Sequence, residues 1–314
     1  MWWYVLPSLF LGWSLGANDA ANVFGPTVAS GLIPHRRAMI VGSLFVMIGA
    51  LVGGSHGLLN VSTITTGIAL DSAIAVLSAA VTVTVMTFFK FPVSTSQAVF
   101  GGILGTNVFR FGFENINWSP MAKFVIVWLL TPTGAALIGF LLYKVLAVFF
   151  RRIRSVQYQD RFIKIGSWLV GLYGCYALGA NNVANVTGAL VGNLMSVEEA
   201  ALLGSLSIAL GMVSFSKGVI MTVGKGIVAL DHFSGMIAVL AHSITLWIYS
   251  LVGIPVSSSQ AIVGSVIGLG YARGAKLANT RLVMNIVLVW IMTPFTAAVV
   301  SYLLTAMVKF FFSS

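Results

Sequence analysis

The sequence predicts an all-α polytopic membrane protein built from two homologous repeats, and three observations carry that prediction. Of the 314 residues, 58% are hydrophobic and 8% charged, where a soluble domain carries about 25% charged residues. With a mean hydropathy of +0.99, the charged side chains cannot coat a body of this size, so most of its surface must face lipid. Apolar stretches of about 20 residues, long enough to span a bilayer as helices, recur along the whole chain with short polar gaps. Finally, two unrelated polar motifs each occur twice at one common separation.

The first motif, Gly16-Ala17-Asn18-Asp19-Ala20-Ala21-Asn22-Val23, matches Gly179-Ala180-Asn181-Asn182-Val183-Ala184-Asn185-Val186 at six of eight positions, 163 residues on. The second, Phe91-Pro92-Val93-Ser94-Thr95-Ser96-Gln97-Ala98, matches Ile254-Pro255-Val256-Ser257-Ser258-Ser259-Gln260-Ala261 at the same offset of 163. Weaker echoes pair Arg110 with Arg273, Ser55-His56-Gly57 with Ser216-Lys217-Gly218, and Thr131-Pro132 with Thr293-Pro294. A duplication explains all of them.

Each repeat is expected to run as a broken helix, two further helices, a short re-entrant hairpin and a long last helix. In the first repeat, residues 1–150, the opening segment at roughly 2–32 starts Met-Trp-Trp-Tyr without a basic region and leads into a polar motif instead of a cleavage site, so it reads as a retained helix. A helix at roughly 38–58 follows the basic His35-Arg36-Arg37 turn, and another at roughly 70–90 opens on Asp71, read as a helix cap. The hairpin at roughly 92–109 opens on Pro92, which suits a first helical turn, and ends before Arg110, a gate or an anchor. The last helix occupies roughly 120–150. The second repeat, 165–314, repeats the order at roughly 165–194, 198–221, 233–252, 255–271 and 280–311, with Asp231, Pro255 and Arg273 in the matching places.

Between the repeats, 151–164 holds Arg151, Arg152, Arg154, Arg161 and Lys164 around a single Asp160. The positive-inside bias makes this linker cytoplasmic, does the same for the His35-Arg36-Arg37 turn, and leaves the N-terminus outside. The net charge of +10 is therefore read as topology and not as a nucleic-acid surface. The lone Cys175 excludes an internal disulfide and a cysteine-based metal site. No P-loop, HExxH, GxSxG or Cys/His cluster encodes ATP-driven transport or a hydrolase, and neither a duplicated His nor a duplicated Cys supplies a nucleophile, so the chain is not read as an enzyme. Tryptophans and phenylalanines are expected at the interface and facing lipid, and His56 and Lys217 are expected to snorkel.

The motifs carry the chemistry. A carboxylate near the bilayer centre costs about 2.5 to 3.5 kcal/mol, so Asp19 should face a cavity and have a partner. Asn18 and Asn22, four residues apart, lie on one face if the turn is helical. Two readings fit: an oxygen cage for a small hard cation such as Na⁺, made by Asn18, Asp19, Asn22 and their counterparts Asn181, Asn182 and Asn185, or interhelical hydrogen bonding. The charge is kept once, since Asn182 stands opposite Asp19, and this suits a monovalent ion; a proton on Asp19 is the other option. In the second motif one hydroxyl per copy can cap a helix, but Ser94, Thr95, Ser96 and Gln97 with Ser257, Ser258, Ser259 and Gln260 supply many more neutral donors than capping needs. Two such helix N-termini facing each other could hold a tetrahedral oxyanion. Gly101, Gly102, Gly105, Gly264, Gly268 and Gly270 would permit the close packing a re-entrant hairpin needs. Discontinuous helices around a midplane site favour inverted over parallel repeats.

These duplicated motifs resemble the signatures of the inorganic phosphate transporter family over nearly the whole chain. The resemblance implies cation-coupled uptake of inorganic phosphate, commonly with sodium, through inverted repeats with two re-entrant hairpins. It places cation coupling on Asn18, Asp19, Asn22, Asn181, Asn182 and Asn185, and phosphate on Ser94 to Ser96 and Ser257 to Ser259. The chain departs from the family pattern at Asn182, where a second Asp is common, and at Gln97 and Gln260, where His is common. Those departures keep a proton-coupled sulfate permease open as the alternative, with an anion channel behind it. The expected partners are phosphate, sodium ions and the lipid bilayer, with a homodimer permitted, no nucleic acid, and no cofactor beyond the coupling ion.

Overall fold

A computed structural model describes residues 2–88, 93–116, 118–223, 231–274 and 280–312, and Pro92 lies outside them. The described chain is helical throughout. The first half runs α1 (Leu6–Ala29), α2 (His35–Gly53), α3 (Ser55–Ser62), α4 (Ala69–Phe88), α5 (Thr95–Phe111) and α6 (Trp118–Arg152). The second runs α7 (Val156–Thr187), α8 (Val197–Val223), α9 (His232–Val252), α10 (Ser258–Ala272) and α11 (Thr280–Phe312). Among the described residues, seven helical stretches are long and apolar enough to cross a bilayer, in α2, α4, α6, α7, α8, α9 and α11, so this is a multi-pass membrane protein.

Leucines and other large apolar side chains face outward along these helices, as in Leu129, Leu137 and Leu141 of α6 and Phe295, Val299 and Leu303 of α11. Serines, threonines, asparagines and glutamines of the motifs are buried inside, the reverse of a soluble domain. Not every aromatic faces lipid as expected: Phe24, Phe100, Phe124, Trp128 and Trp290 are buried. Phe100 stands edge-on to Trp128 with ring centres 4.9 Å apart, a geometry that rings prefer.

The repeats interlock. α1 packs along α8, α2 along α7, α5 along α11 and α6 along α10, so each of these pairings joins one half to the other. Glycines make the contacts close, and they do so symmetrically. A methyl group on Gly16 would stand 2.0 Å from the Ile208 carbonyl oxygen, and one on Gly179 would stand 2.0 Å from that of Val46. Gly101 and Gly105 likewise abut Pro294 and Ala298 of α11, while Gly264 and Gly268 abut Pro132 and Ala136 of α6. Small residues four apart on one face are the usual way for membrane helices to bring backbones together.

α4–α5 and α9–α10 are the two hairpins, so the stretches expected as separate helices at 70–90 and 233–252 are in fact their first arms. Their bases lie on opposite faces. Asn107 near the end of α5 donates to the Ile64 carbonyl, and Asn193 donates to Ser72 at the start of α4, which gathers 63–72, 107 and 193 on one face. On the other face Leu32, Asp160, Arg161, Ile163, Lys164 and His232 surround a cavity of about 440 Å³, and His35 is 3.1 Å from Ser216. The described inner ends of the hairpins, 93–98 and 255–261, are buried, and their bases open on opposite faces, the arrangement of inverted repeats.

Two expected features take another form. α1 is unbroken from Leu6 to Ala29, running straight through its motif, because the polar side chains there find partners on other helices and the backbone ladder has no need to open. The basic linker of 151–164 is also mostly helix: α6 ends at Arg152 and α7 starts at Val156, since no Gly or Pro interrupts 153–165 and Phe162 packs against Phe150. Asp231 caps α9 by accepting from the Ser234 N–H at 2.8 Å. Asp71 instead accepts two 2.7 Å bonds from Arg110, which closes the base of the first hairpin, while Arg273 meets Asp231 at 3.1 Å across the second.

Candidate functional site

The centre of the site is a contact between repeat-related residues. Asp19 lies midway along α1 and Asn182 near the end of α7, both buried, and Asn182 Nδ2 donates to Asp19 Oδ2 at 3.3 Å. Two residues that are equivalent in the repeats and also touch must straddle the pseudo-twofold axis. A second carboxylate at 182 would place like charges face to face there, whereas the amide converts that repulsion into a charge-assisted hydrogen bond. Asn22 Nδ2 donates to the other carboxylate oxygen, Oδ1, at 3.4 Å. Asn182 Oδ1 in turn accepts from Asn185 at 2.9 Å and Asn181 at 3.2 Å. Asp19, Asn22, Asn181, Asn182 and Asn185 thus form one continuous network across the two copies of the first motif, with a single carboxylate.

The hairpin tips close on this network. Ser94 and Ser257 are the N-caps of α5 and α10, accepting from the Gln97 and Gln260 N–H groups at 3.4 and 3.3 Å, so one hydroxyl per copy caps. The following residues reach across the molecule. Asn185 donates to Ser96 Oγ and Asn22 to Ser258 Oγ, each at 3.0 Å, and Ser259 Oγ donates to the Val93 carbonyl at 3.0 Å, which joins one tip to the other. Ser257 and Ser259 are also 3.0 Å apart through their hydroxyls. Gly253, at φ +76°, ends α9 in the left-handed conformation that lets the chain turn into the second tip, and its carbonyl accepts from Asn60.

The two tips are held differently. Asn181 clasps the second through both backbone groups of Val256, donating to its carbonyl at 2.8 Å and accepting from its N–H at 3.0 Å. The counterpart Asn18 donates instead to Thr87 Oγ1 at 3.0 Å. Thr95 is buried at the start of α5. Gln97 Oε1 and Gln260 Oε1, again repeat-related, are buried acceptors without a hydrogen-bond partner among the described residues. Unpaired buried acceptors of this kind cost about 1 to 3 kcal/mol, and each invites a donor or a cation. All fourteen residues singled out in the two motifs therefore fall in one buried neighbourhood.

Sequence reasoning missed His242. It is fully buried in α9, with Nε2 3.0 Å from Ser258 Oγ. Comparing the repeats could not reveal it, because Ala79 occupies the matching position. A second signal was available, since an ionisable residue inside an apolar span is by itself a functional hypothesis. Thr87 was missed for the opposite reason, as one hydroxyl in a span carries no such signal.

Comparison with known proteins bears on what this cage serves. The model of the phosphate transporter family matches the chain twice, over residues 15–165 and 151–301. A protein of Thermococcus kodakarensis named "putative phosphate permease" is 27% identical, the alignment covering 93% of each chain. One of the same name from Methanocaldococcus jannaschii is 27% identical over 96% of this chain and 95% of its own. The sulfate permease CysP of Bacillus subtilis is 28% identical over 96% of this chain and 86% of its own. A solved structure described as the sodium-dependent phosphate transporter superposes with a TM-score of 0.84 at 23% identity, covering 98% of both chains.

Proposed function

Because the chain belongs to the phosphate transporter family, we propose that it is a secondary active transporter that carries inorganic phosphate across the cell membrane in symport with sodium ions. The observation that carries this reading is the meeting, deep inside the protein, of two hydroxyl-rich helix N-termini with a cage holding one carboxylate. The N-termini of α5 and α10 offer free N–H groups and partial positive charge to an oxyanion, and Ser94, Thr95, Ser96, Ser257, Ser258 and Ser259 add hydroxyls. Asp19, with the oxygens of Asn18, Asn22, Asn181, Asn182 and Asn185, offers hard ligands to Na⁺, which offsets the charge of the anion. Gln97 Oε1 and Gln260 Oε1 are acceptors for a protonated phosphate oxygen or further ligands for the cation.

The unequal tethering of the tips supports alternating access. Asn181 holds both backbone groups of Val256, whereas Asn18 turns to Thr87 and the Val93 carbonyl is held instead by Ser259 of the other tip. Inverted repeats interchange such arrangements between the two end states, exposing one site to each side in turn. By the positive-inside bias the face bearing 31–37 and 151–164 is cytoplasmic, and the N-terminus is outside.

Sulfate with proton coupling is the second reading, favoured by the identity to a sulfate permease. Sulfate carries no proton at neutral pH and would meet Asp19 as a repelling charge, whereas phosphate can donate to it. Phosphate titrated calorimetrically into detergent-purified protein tests this. Linkage of about 1 to 3 kcal/mol predicts that sodium in place of choline tightens phosphate binding by about 5- to 150-fold, with sulfate a weak ligand. Equal affinity in both salts would remove the coupling, and tight sulfate binding would move the chain to the second reading.

A further inference from the structure

His242 lies outside the duplicated motifs, and its geometry constrains the hydrogens of Ser258. Asn22 Nδ2 has two hydrogens, aimed at Asp19 Oδ1 (3.4 Å) and Ser258 Oγ (3.0 Å), so Ser258 accepts on one side. His242 Nε2 stands 3.0 Å away from the same oxygen. The other ring nitrogen, Nδ1, is buried with no hydrogen-bond partner among the described residues. In the Nδ1–H tautomer a buried N–H would be orphaned, which native proteins almost never tolerate; in the Nε2–H tautomer only a lone pair is left bare, a lesser penalty. The imidazole therefore donates from Nε2, Ser258 Oγ accepts twice, and both its lone pairs are filled. Its own hydrogen is left over, at the second position of the Ser257-Ser258-Ser259 turn that opens α10.

We propose that His242 is a positioning residue of the anion site, which locks Ser258 as an obligate hydrogen-bond donor to an unprotonated oxygen of the bound oxyanion. The inference rests on the proposed anion site at the hairpin tips and goes beyond it by fixing the polarity of one contact. Ser258 cannot accept, so a protonated oxygen of phosphate must turn away from it, toward Asp19 or the free Gln97 and Gln260 carbonyl oxygens. The device is one-sided. In the first repeat Thr95 occupies the place of Ser258 and Ala79 that of His242, so no imidazole constrains that hydroxyl. The anion is therefore gripped by a fixed donor from the second hairpin and an adaptable hydroxyl from the first.

The test combines binding with direct observation of the ring. A hydrogen bond to a charged ligand contributes enough that losing the lock should raise the phosphate Kd and KM about ten-fold in His242→Ala, with Vmax changed far less. His242→Gln, whose amide N–H can donate in the place of Nε2, should restore binding to within about three-fold. In the Ser258→Ala background, His242→Ala should have no further effect, because its action runs through the Ser258 hydroxyl. Full multiplication of the two defects, or an unchanged Kd in His242→Ala, overturns the proposal. If the alanine variant does not fold, ¹⁵N spectra of histidine-labelled wild-type protein decide, with an Nε2–H ring expected and an Nδ1–H ring contradicting it. Wild-type protein that binds no phosphate or sulfate would defeat the anion-site reading itself, an outcome distinct from failure of the lock.

Discussion

Asp19→Asn is expected to reduce sodium-driven phosphate uptake by more than about 100-fold, beyond the 10- to 100-fold that loss of a group behind a metal ligand typically costs. The substitution preserves shape and removes one charge. Asp19 supplies the site's carboxylate, and its two oxygens accept from Asn182 and Asn22 separately. Asparagine offers one acceptor where two donors converge, so one donor is also left unpaired, at about 1 to 3 kcal/mol of stability. The two effects are separable. Uptake measures the charge, and thermal unfolding of the purified variant measures the lost hydrogen bond. A variant with sodium dependence like that of wild type would remove Asp19 from the coupling site.

Arg110→Leu is expected to destabilise the protein by about 3 kcal/mol, while Arg273→Leu should cost less than about 1 kcal/mol. The two arginines are repeat-related, and each joins the two arms of a hairpin. Their partners differ in solvation: the Asp71 side chain is 1% exposed and that of Asp231 is 52% exposed. Removing Arg110 strands a buried carboxylate, whereas removing Arg273 leaves Asp231 in water and still capping α9. A double variant, Arg110→Leu with Asp71→Leu, should recover most of the lost stability, since it leaves no unpaired charge. Unfolding midpoints of the three variants in one detergent check the ordering. Equal losses at the two arginines would show that burial of Asp71 is not what makes its pair matter.

Much of the site was legible because membrane burial makes polar residues conspicuous. Asn18, Asp19 and Asn22 had no reason to lie in an apolar stretch unless they met something polar, and the offset shared with the serine motif marked both sets as parts of one duplication. The sequence could not show what they meet. The unbroken α1 depends on side-chain partners in α7 and α10, more than 150 residues away, and local reading assigned that polarity to an opened backbone. Gly16, Gly101 and Gly268 announced close packing, but nothing in either repeat says that the neighbour belongs to the other half. The start of α7 was hidden by its charge, since a basic helix projecting beyond the membrane resembles a linker in composition. Asp71 looked like a cap because the position of Arg110 beside it is set by the hairpin fold. His242 breaks the symmetry of the duplication, so a search by repetition passes over it.

The most direct measurement is uptake of radiolabelled phosphate into proteoliposomes, with an inward sodium gradient or choline in its place, and with excess unlabelled sulfate as competitor. Sodium-phosphate symport predicts accumulation above equilibrium with the sodium gradient only, indifferent to sulfate. Equilibration without accumulation would mark an anion channel, and accumulation driven by a proton gradient and blocked by sulfate would contradict the assignment of both substrate and coupling ion.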